Sequence, residues 1–300
     1  MRGFAVSLAL TLAGAGLAQG ATGLAFLKIC PDAASSALGE NGAVGWRDAL
    51  SPVRNPALAP PDELTHLAIT RSDWIFESDY LALAFRSSFR TWSWGADLRV
   101  LSSDNFELRD GPNPDPTGEF RLDDLAVGLS LSVPLKENLR AGAALRRIQE
   151  KMYNENSRGW TGDLGLRWER RREVGRLVAV SATARNLGYS SDFVNEAPDP
   201  PRTLGLGAEW QGELPLGGWS GGLQAELRHL QDDGSHLHLG AEAMPVAGLT
   251  LRGGWMSGYE ERGSTLGVGF AWRNLRLDYA WLPFSSALAD VHRFTFSFAL

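Results

Sequence analysis

Between Thr265 and Leu300 the side chains alternate in size and polarity with a period of two. Leu266, Val268, Phe270 and Trp272 interleave with Thr265, Gly267, Gly269 and Ala271. After a turn at Arg273-Asn274, Leu275, Leu277, Tyr279 and Trp281 interleave with Arg276, Asp278 and Ala280. Phe294, Phe296, Phe298 and Leu300 then alternate with Arg293, Thr295, Ser297 and Ala299. Such a period specifies β-strands, whose successive side chains point to opposite faces. One face carries large apolar groups and the other carries glycine, alanine, hydroxyls and charge. A soluble sandwich buries its bulky residues and turns charge outward. Here the small and charged set suits a wet lumen and the leucine and aromatic set suits hydrocarbon.

The pattern starts at Leu64 and continues over fourteen segments: 64–74, 79–87, 91–101, 122–133, 139–149, 160–170, 174–186, 202–210, 219–230, 236–244, 248–256, 264–272, 274–282 and 291–300. Each has roughly the length that crosses a bilayer at a tilt. The fold class is therefore all-β, a transmembrane antiparallel β-barrel of about 14 strands. Glycine at 34 and tryptophan at 11 of 300 residues, with a slightly negative mean hydropathy, exclude a bundle of spanning helices but not a barrel, whose strands are only half apolar. The stretches 102–121, 150–159, 187–201 and 283–290 read as long outer loops, alternating with short inner turns. Trp74, Trp92, Trp94, Trp160, Trp168, Trp210, Trp219, Trp255, Trp272 and Trp281 lie near segment ends, as in interfacial girdles. The net charge of −6 and the absence of a basic, aromatic-laced stripe argue against a nucleic-acid partner.

At the N-terminus, Arg2 precedes an apolar run from Phe4 to Leu17 and then Ala18, Gly20 and Ala21. Residues 1–20 read as a secretory leader cleaved between Ala18 and Ala21. Residues 21–61 are of another kind: small residues from Ala33 to Ala37, then Leu38-Gly39, then Asn55-Pro56-Ala57-Leu58 and Pro60-Pro61. The prolines prevent strand pairing, so a short helix over 32–38 and a compact loop are expected, forming an N-terminal plug in the lumen. Residues 62–300 form the barrel. Cys30 is the sole cysteine, which excludes an intramolecular disulfide; it reads as a half-buried free thiol. Lys28 and Ile29 stand where a lipidation signal needs small residues.

Face assignment lists the polar side chains that point into the lumen: Asp97, Arg99, Arg146, Asp163, Arg167, Glu169, Glu226, Arg228, Glu242, Arg252, Arg276, Asp278 and Arg293. Opposite charges there are expected to pair across strands and around the plug. No Gly-x-Ser-x-Gly elbow and no serine, histidine and aspartate set on one lumenal face occurs, so no catalytic residues are assigned. Parity sends His229 to the lipid side and His236 and His238 to the lumen. At most two of them could meet one ion, and no metal site or cofactor is expected.

The chain resembles the PorV/PorQ family of bacterial outer-membrane proteins, related to the FadL long-chain fatty-acid transporters. The resemblance rests on residues 23–29, Ala37-Leu38-Gly39, the Asn55-Pro56-Ala57 tripeptide, 184–188, 201–207, Gly240-Ala241-Glu242, 251–254, Gly267-Val268-Gly269, 277–280 and His292-Arg293-Phe294. Their order and spacing, rather than any one of them, carry it. It departs from the family at Cys30-Pro31-Asp32 and at 46–49. It implies a fourteen-stranded FadL-like barrel in the bacterial outer membrane, embedded in outer-membrane lipids, with an N-terminal segment inside. It also implies a role with other envelope proteins, a secretion-system or exported protein partner, in secretion or surface attachment. Phe193 and Phe284 are the outer-loop contacts expected for that role. The relation to FadL implies the alternative, a channel or binding protein for a hydrophobic small-molecule ligand. That alternative requires a continuous apolar pocket between plug and wall, and the charged lumenal set argues against one.

Overall fold

A computed structural model describes residues 23–60, 62–108, 116–153, 155–172, 175–191, 197, 199–215, 217–285 and 288–300. The leader and its cleavage site lie outside the described residues. The wall is a closed antiparallel barrel of fourteen strands in which each pairs with its sequence neighbours and the first pairs with the last. The strands are β1 (His66–Trp74), β2 (Ser78–Phe89), β3 (Trp92–Leu108), β4 (Gly118–Lys136), β5 (Leu139–Met152), β6 (Glu155–Arg172) and β7 (Arg176–Ser190). They continue as β8 (Thr203–Glu213), β9 (Ser220–Leu230), β10 (Gly234–Val246), β11 (Leu249–Met256), β12 (Ser264–Trp272), β13 (Leu275–Leu282) and β14 (Val291–Ala299). Closure is in register, His66 opposite Ala299 and Ser72 opposite Arg293. His66 and Ala299 mark the near end of the barrel; Trp74 and Val291 mark the far end.

The faces follow the alternation. Leu129, Leu164, Leu223, Phe270 and Phe294 are exposed, while Asp278, Arg146, Glu226 and Thr295 on the opposite faces are fully buried. Putting apolar groups outside and charge inside inverts a soluble core, and hydrocarbon is the solvent that stabilises such a surface. Trp74 departs from the girdle reading. It follows Ala68, Thr70 and Ser72 on the inward face of β1 and packs within the lumen, with the Arg293 guanidinium 5.2 Å from its ring.

Strands run into three stretches expected as loops, taking most of 150–159, about half of 102–121 and only the first four residues of 187–201. β3 and β4 continue to Leu108 and Gly118 as one projecting hairpin, β5 and β6 meet around 153–154, and β7 runs on to Ser190. The period-two signal depends on one face meeting hydrocarbon. Beyond that height Ser102, Ser103, Asp104 and Asn105 carry no alternation, while backbone pairing needs none. The far end still holds the longer connections, at 109–117, 191–202, 257–263 and 283–290.

The segment before β1 lies against the inward faces. It begins with a 3-10 turn at Ala25–Lys28 beside the far end, where Lys28 pairs with Asp232 of the β9–β10 turn. Helix α1 (Ala33–Ala37) follows, its N-terminus capped by Asp32, which accepts the Ser35 N–H at 2.6 Å. All five helical residues are buried, and their small side chains let the helix approach the wall. A second 3-10 turn at Ser51–Val53 leads to the near end, where Ala57 O accepts from Ser132 Oγ at 3.0 Å and Leu58 O from Arg86 at 3.2 Å.

Candidate functional site: the lumen

Bare backbone receives the N-terminal segment at two places. Gly142 and Gly165 face each other across β5 and β6. A Cβ on Gly142 would lie 2.1 Å from the Pro56 carbonyl carbon, and one on Gly165 would lie 2.0 Å from Asn55 Oδ1. Asn55, Pro56 and Ala57 therefore dock where the wall has no side chains. Asn55 also closes its own turn, accepting the Ala57 N–H at 2.9 Å and donating to Ala43 O at 2.6 Å. On the other side, Gly240 and Gly254 are paired on β10 and β11. A Cβ on Gly254 would lie 1.8 Å from Gly39 N, and one on Gly240 2.7 Å from Leu38 O. Ala37-Leu38-Gly39 occupies this second trough.

Charge binds the segment to the wall between these troughs. Glu226 Oε2 accepts the N–H groups of Gly42 and Ala43 at 3.2 Å each, and its Oε1 accepts from Arg228 at 3.0 Å. Arg228 and Arg54 both donate to Glu40 O, at 2.8 and 3.0 Å, while Arg262 of the β11–β12 connection holds the Glu40 carboxylate at 2.7 Å. Burial alone would raise the Glu40 carboxyl, but Arg262, Arg228 and Arg54 outweigh it and hold it down to about 2. Nearer the other end, Arg47 bridges Glu209 at 3.5 Å and Glu242 at 3.2 Å. The chain of ions continues through Arg252 to Asp278 and Arg276. Arg167 meets Glu169 and Glu209 and donates to Val44 O at 2.7 Å. Within the wall, Arg146 joins Asp97 at 3.3 Å to Asp163, and Arg99 lies 3.8 Å from Asp97.

The other side of the lumen is apolar. Leu24, Phe26, Leu27, Ile29, Leu50 and Val53 pack on Ala68, Tyr80, Ala82, Ala84, Ala126 and Ile148, with Trp74 and Leu101 at the far end. These wall positions belong to β1, β2, β4 and β5 and are mostly alanine. The lumen thus holds an apolar lane against β1, β2, β4 and β5, interrupted by Asp97 and Arg99 of β3, beside the ions that run along β6–β13. The mostly small and charged wall expected from parity is thus partly covered by large apolar groups. The large apolar side chains of the lane come from the N-terminal segment, whose orientation sequence parity could not supply.

The lumenal residues named from parity lie where their strands point them; Glu169 and Arg276 are half-buried and the rest are buried or nearly so. Parity overlooked Glu209, inward between the outward Leu206 and Trp210, and Arg86, inward beside Phe85. Both were legible from the same alternation. Glu40, Arg47 and Arg54 were not, since a segment without periodicity has no faces to assign. Phe193 lies outside the described residues. Phe284 is half-buried, edge-on to Trp74 with ring centroids 6.1 Å apart. Cys30 is fully buried rather than half-buried, and burial, with Asp32 close by, pushes its thiol up to about 11. His229 points outward and contacts Ser235, whereas His238 donates from Nδ1 to Gly39 O at 2.7 Å and accepts from Tyr259 at 3.1 Å. His236 stacks on the same tyrosine ring at 4.0 Å.

No family model and no curated protein matches this chain. Solved structures do. The toluene transporter TodX of Pseudomonas putida superposes with a TM-score of 0.60 at 14% identity, over 88% of this chain and 96% of that one. The toluene transporter TbuX of Ralstonia pickettii gives 0.58 at 15% identity, over 89% and 97%. The monoaromatic hydrocarbon channel CymD gives 0.56 at 14% identity, over 89% and 96%. At such identities the likeness establishes a shared barrel fold and nothing finer.

Proposed function

We propose that this protein is an outer-membrane barrel that binds or conducts hydrophobic small molecules, with residues 21–61 as its plug and the far end facing outward. The observation that carries the reading is the apolar lane along β1–β5. Its wall side is mostly alanine, so a lateral shift of the plug leaves a slot bordered by Ala82, Ala84, Ala126, Ile148 and the Tyr80 ring, with the paired Asp97 and Arg99 of β3 in its floor. Such a slot excludes water and admits an apolar solute, whereas the ion chain opposite keeps the plug hinged to β6–β13. The barrels of like fold that carry toluene and other monoaromatic hydrocarbons support the same reading. For the alternative role in secretion or surface attachment, with an exported protein as partner, Phe284 is engaged with Trp74 rather than presented outward.

The test is binding of a hydrophobic fluorescent probe, N-phenylnaphthylamine, to the folded barrel in detergent, with monoaromatic hydrocarbons as competitors. Ala82→Phe fills the lane and abolishes binding, whereas Gln224→Asn, among the ions, leaves it intact. Heat-modifiable gel migration verifies that both variants are folded. Equal probe binding by wild type and Ala82→Phe overturns the reading.

A further inference from the structure

On the outer wall, β5 and β6 place three cations together at the far end. Arg147, Gln149 and Lys151 face outward on β5, opposite Trp160, Arg158 and Asn156 on β6. Arg158 is therefore the diagonal neighbour of both Arg147 and Lys151, about 7–8 Å from each by sheet geometry. All three are exposed. Other outward arginines at this rim have carboxylates: Arg71 pairs with Asp79 at 3.0 Å and Arg121 with Asp123 at 2.8 Å. Asp123 lies across from Lys151, but Arg121 and Ser102 already hold it. Among the described residues, none of the three cations makes an ion pair. Arg147 lies over the Trp160 ring at 5.3 Å, and Trp160 is paired with Tyr189 on β7, both rings exposed. Exposed tryptophan and tyrosine pairs settle at the boundary between hydrocarbon and headgroups. Arg147 thus stands at that boundary and Arg158 and Lys151 just beyond it, where like charges side by side are unfavourable without a counter-anion.

We infer that Arg147, Lys151 and Arg158 form a docking site for the phosphate of an outer-leaflet lipid. A phosphate monoester supplies a charge between −1 and −2 and oxygens for two arginine forks and one lysine. Its acyl chains lie on the outward leucines below, Leu145 and Leu164, both exposed. An acidic protein loop meets the charge requirement but not the acyl-chain contact, which is why the lipid is favoured. The inference rests on the outer-membrane placement proposed above.

The experiment measures lipid binding to the full-length protein by native mass spectrometry, with bisphosphorylated lipid A and its dephosphorylated form as probes. The variant R147Q/K151Q/R158Q is expected to bind the phosphorylated lipid roughly a hundredfold more weakly, from the usual worth of three basic side chains at a membrane surface. R170Q/R171Q/R172Q, at the opposite rim, keeps wild-type affinity, and R147K/R158K retains most of it. Equal affinity in the first variant, or equal binding of the dephosphorylated lipid, overturns the site. Displacement of the lipid by submillimolar inorganic phosphate overturns the headgroup as its source, and displacement by a polyglutamate peptide points to a protein instead. Flotation of the wild type with liposomes is scored separately: failure to float refutes the membrane placement itself.

Discussion

Replacing Glu226 by glutamine tests whether the plug is held as one body. The carboxylate is fully buried and receives two backbone N–H groups and Arg228, with Arg54 at 3.9 Å. Glutamine keeps the shape, removes the charge and turns at most one acceptor oxygen toward these donors. Breaking a buried ionic cluster by deleting one partner costs about 3–5 kcal/mol, and the two N–H bonds fall within that figure rather than adding to it. With about 1.4 kcal/mol per factor of ten, the released population rises by about two to three and a half orders of magnitude. Cys30 is the reporter, since it is completely inaccessible while the segment is seated. Maleimide labelling of folded protein in detergent at neutral pH should accelerate accordingly. The control is Asp163→Asn, because Asp163 contacts only wall groups, Arg146 and the Asn186 N–H at 2.7 Å. Labelling of E226Q at the wild-type rate, or equal acceleration in D163N, refutes the idea that the Glu226 cluster seats the segment.

Acid should release the plug through Glu40. Its pKa in the folded protein is lowered to about 2, so its contribution is complete above the ordinary carboxylate value and disappears as pH falls toward 2. Pepsin should cut the segment increasingly below pH 4 in wild type, whereas Glu40→Gln is cut faster than wild type at pH 4.5 and rises less steeply toward pH 2.5, Glu226 and Glu242 still holding the segment; superimposable profiles contradict this. Gly142→Val should unseat the Asn55 turn, because its Cβ falls on the Pro56 carbonyl carbon, an overpacking of about 1–3 kcal/mol. Faster Cys30 labelling with a barrel still resistant to detergent is the expected result. Gly175→Ala makes a useful comparison, since nothing lies within 4 Å of its Cβ and only its left-handed backbone is strained.

The wall was readable from the sequence because lipid imposes a strict alternation on every strand that meets it. Leu266 to Trp272 and Phe294 to Leu300 specify their faces without reference to any other residue. The strand ends were not readable, since Ser102-Ser103-Asp104-Asn105 is polar at every position and carries no alternation. The site divides in the same way. Asp97, Arg146 and Asp278 follow from parity, but the division of the lumen into an ionic and an apolar side depends on how residues 24–58 fold back. The glycines were visible as composition, and only the approach of Pro56 and Gly39 shows why Gly142 and Gly254 can carry no side chain.

Thr295 accepts the N–H of Ala33 at 2.8 Å and shares a 2.6 Å hydrogen bond with Thr70, while Arg293 donates to Cys30 O and to Ser36 Oγ. The first residues of the lumenal segment therefore touch the seam where the first strand meets the last. Joining two strands separated by nearly the whole chain carries the largest loop-closure entropy in the molecule. A segment attached to β1 that also binds β14 bridges the two chain-distant edges a second time, and each of its bonds offsets part of that entropy. The contents of this barrel are in that sense also a clasp on its vessel.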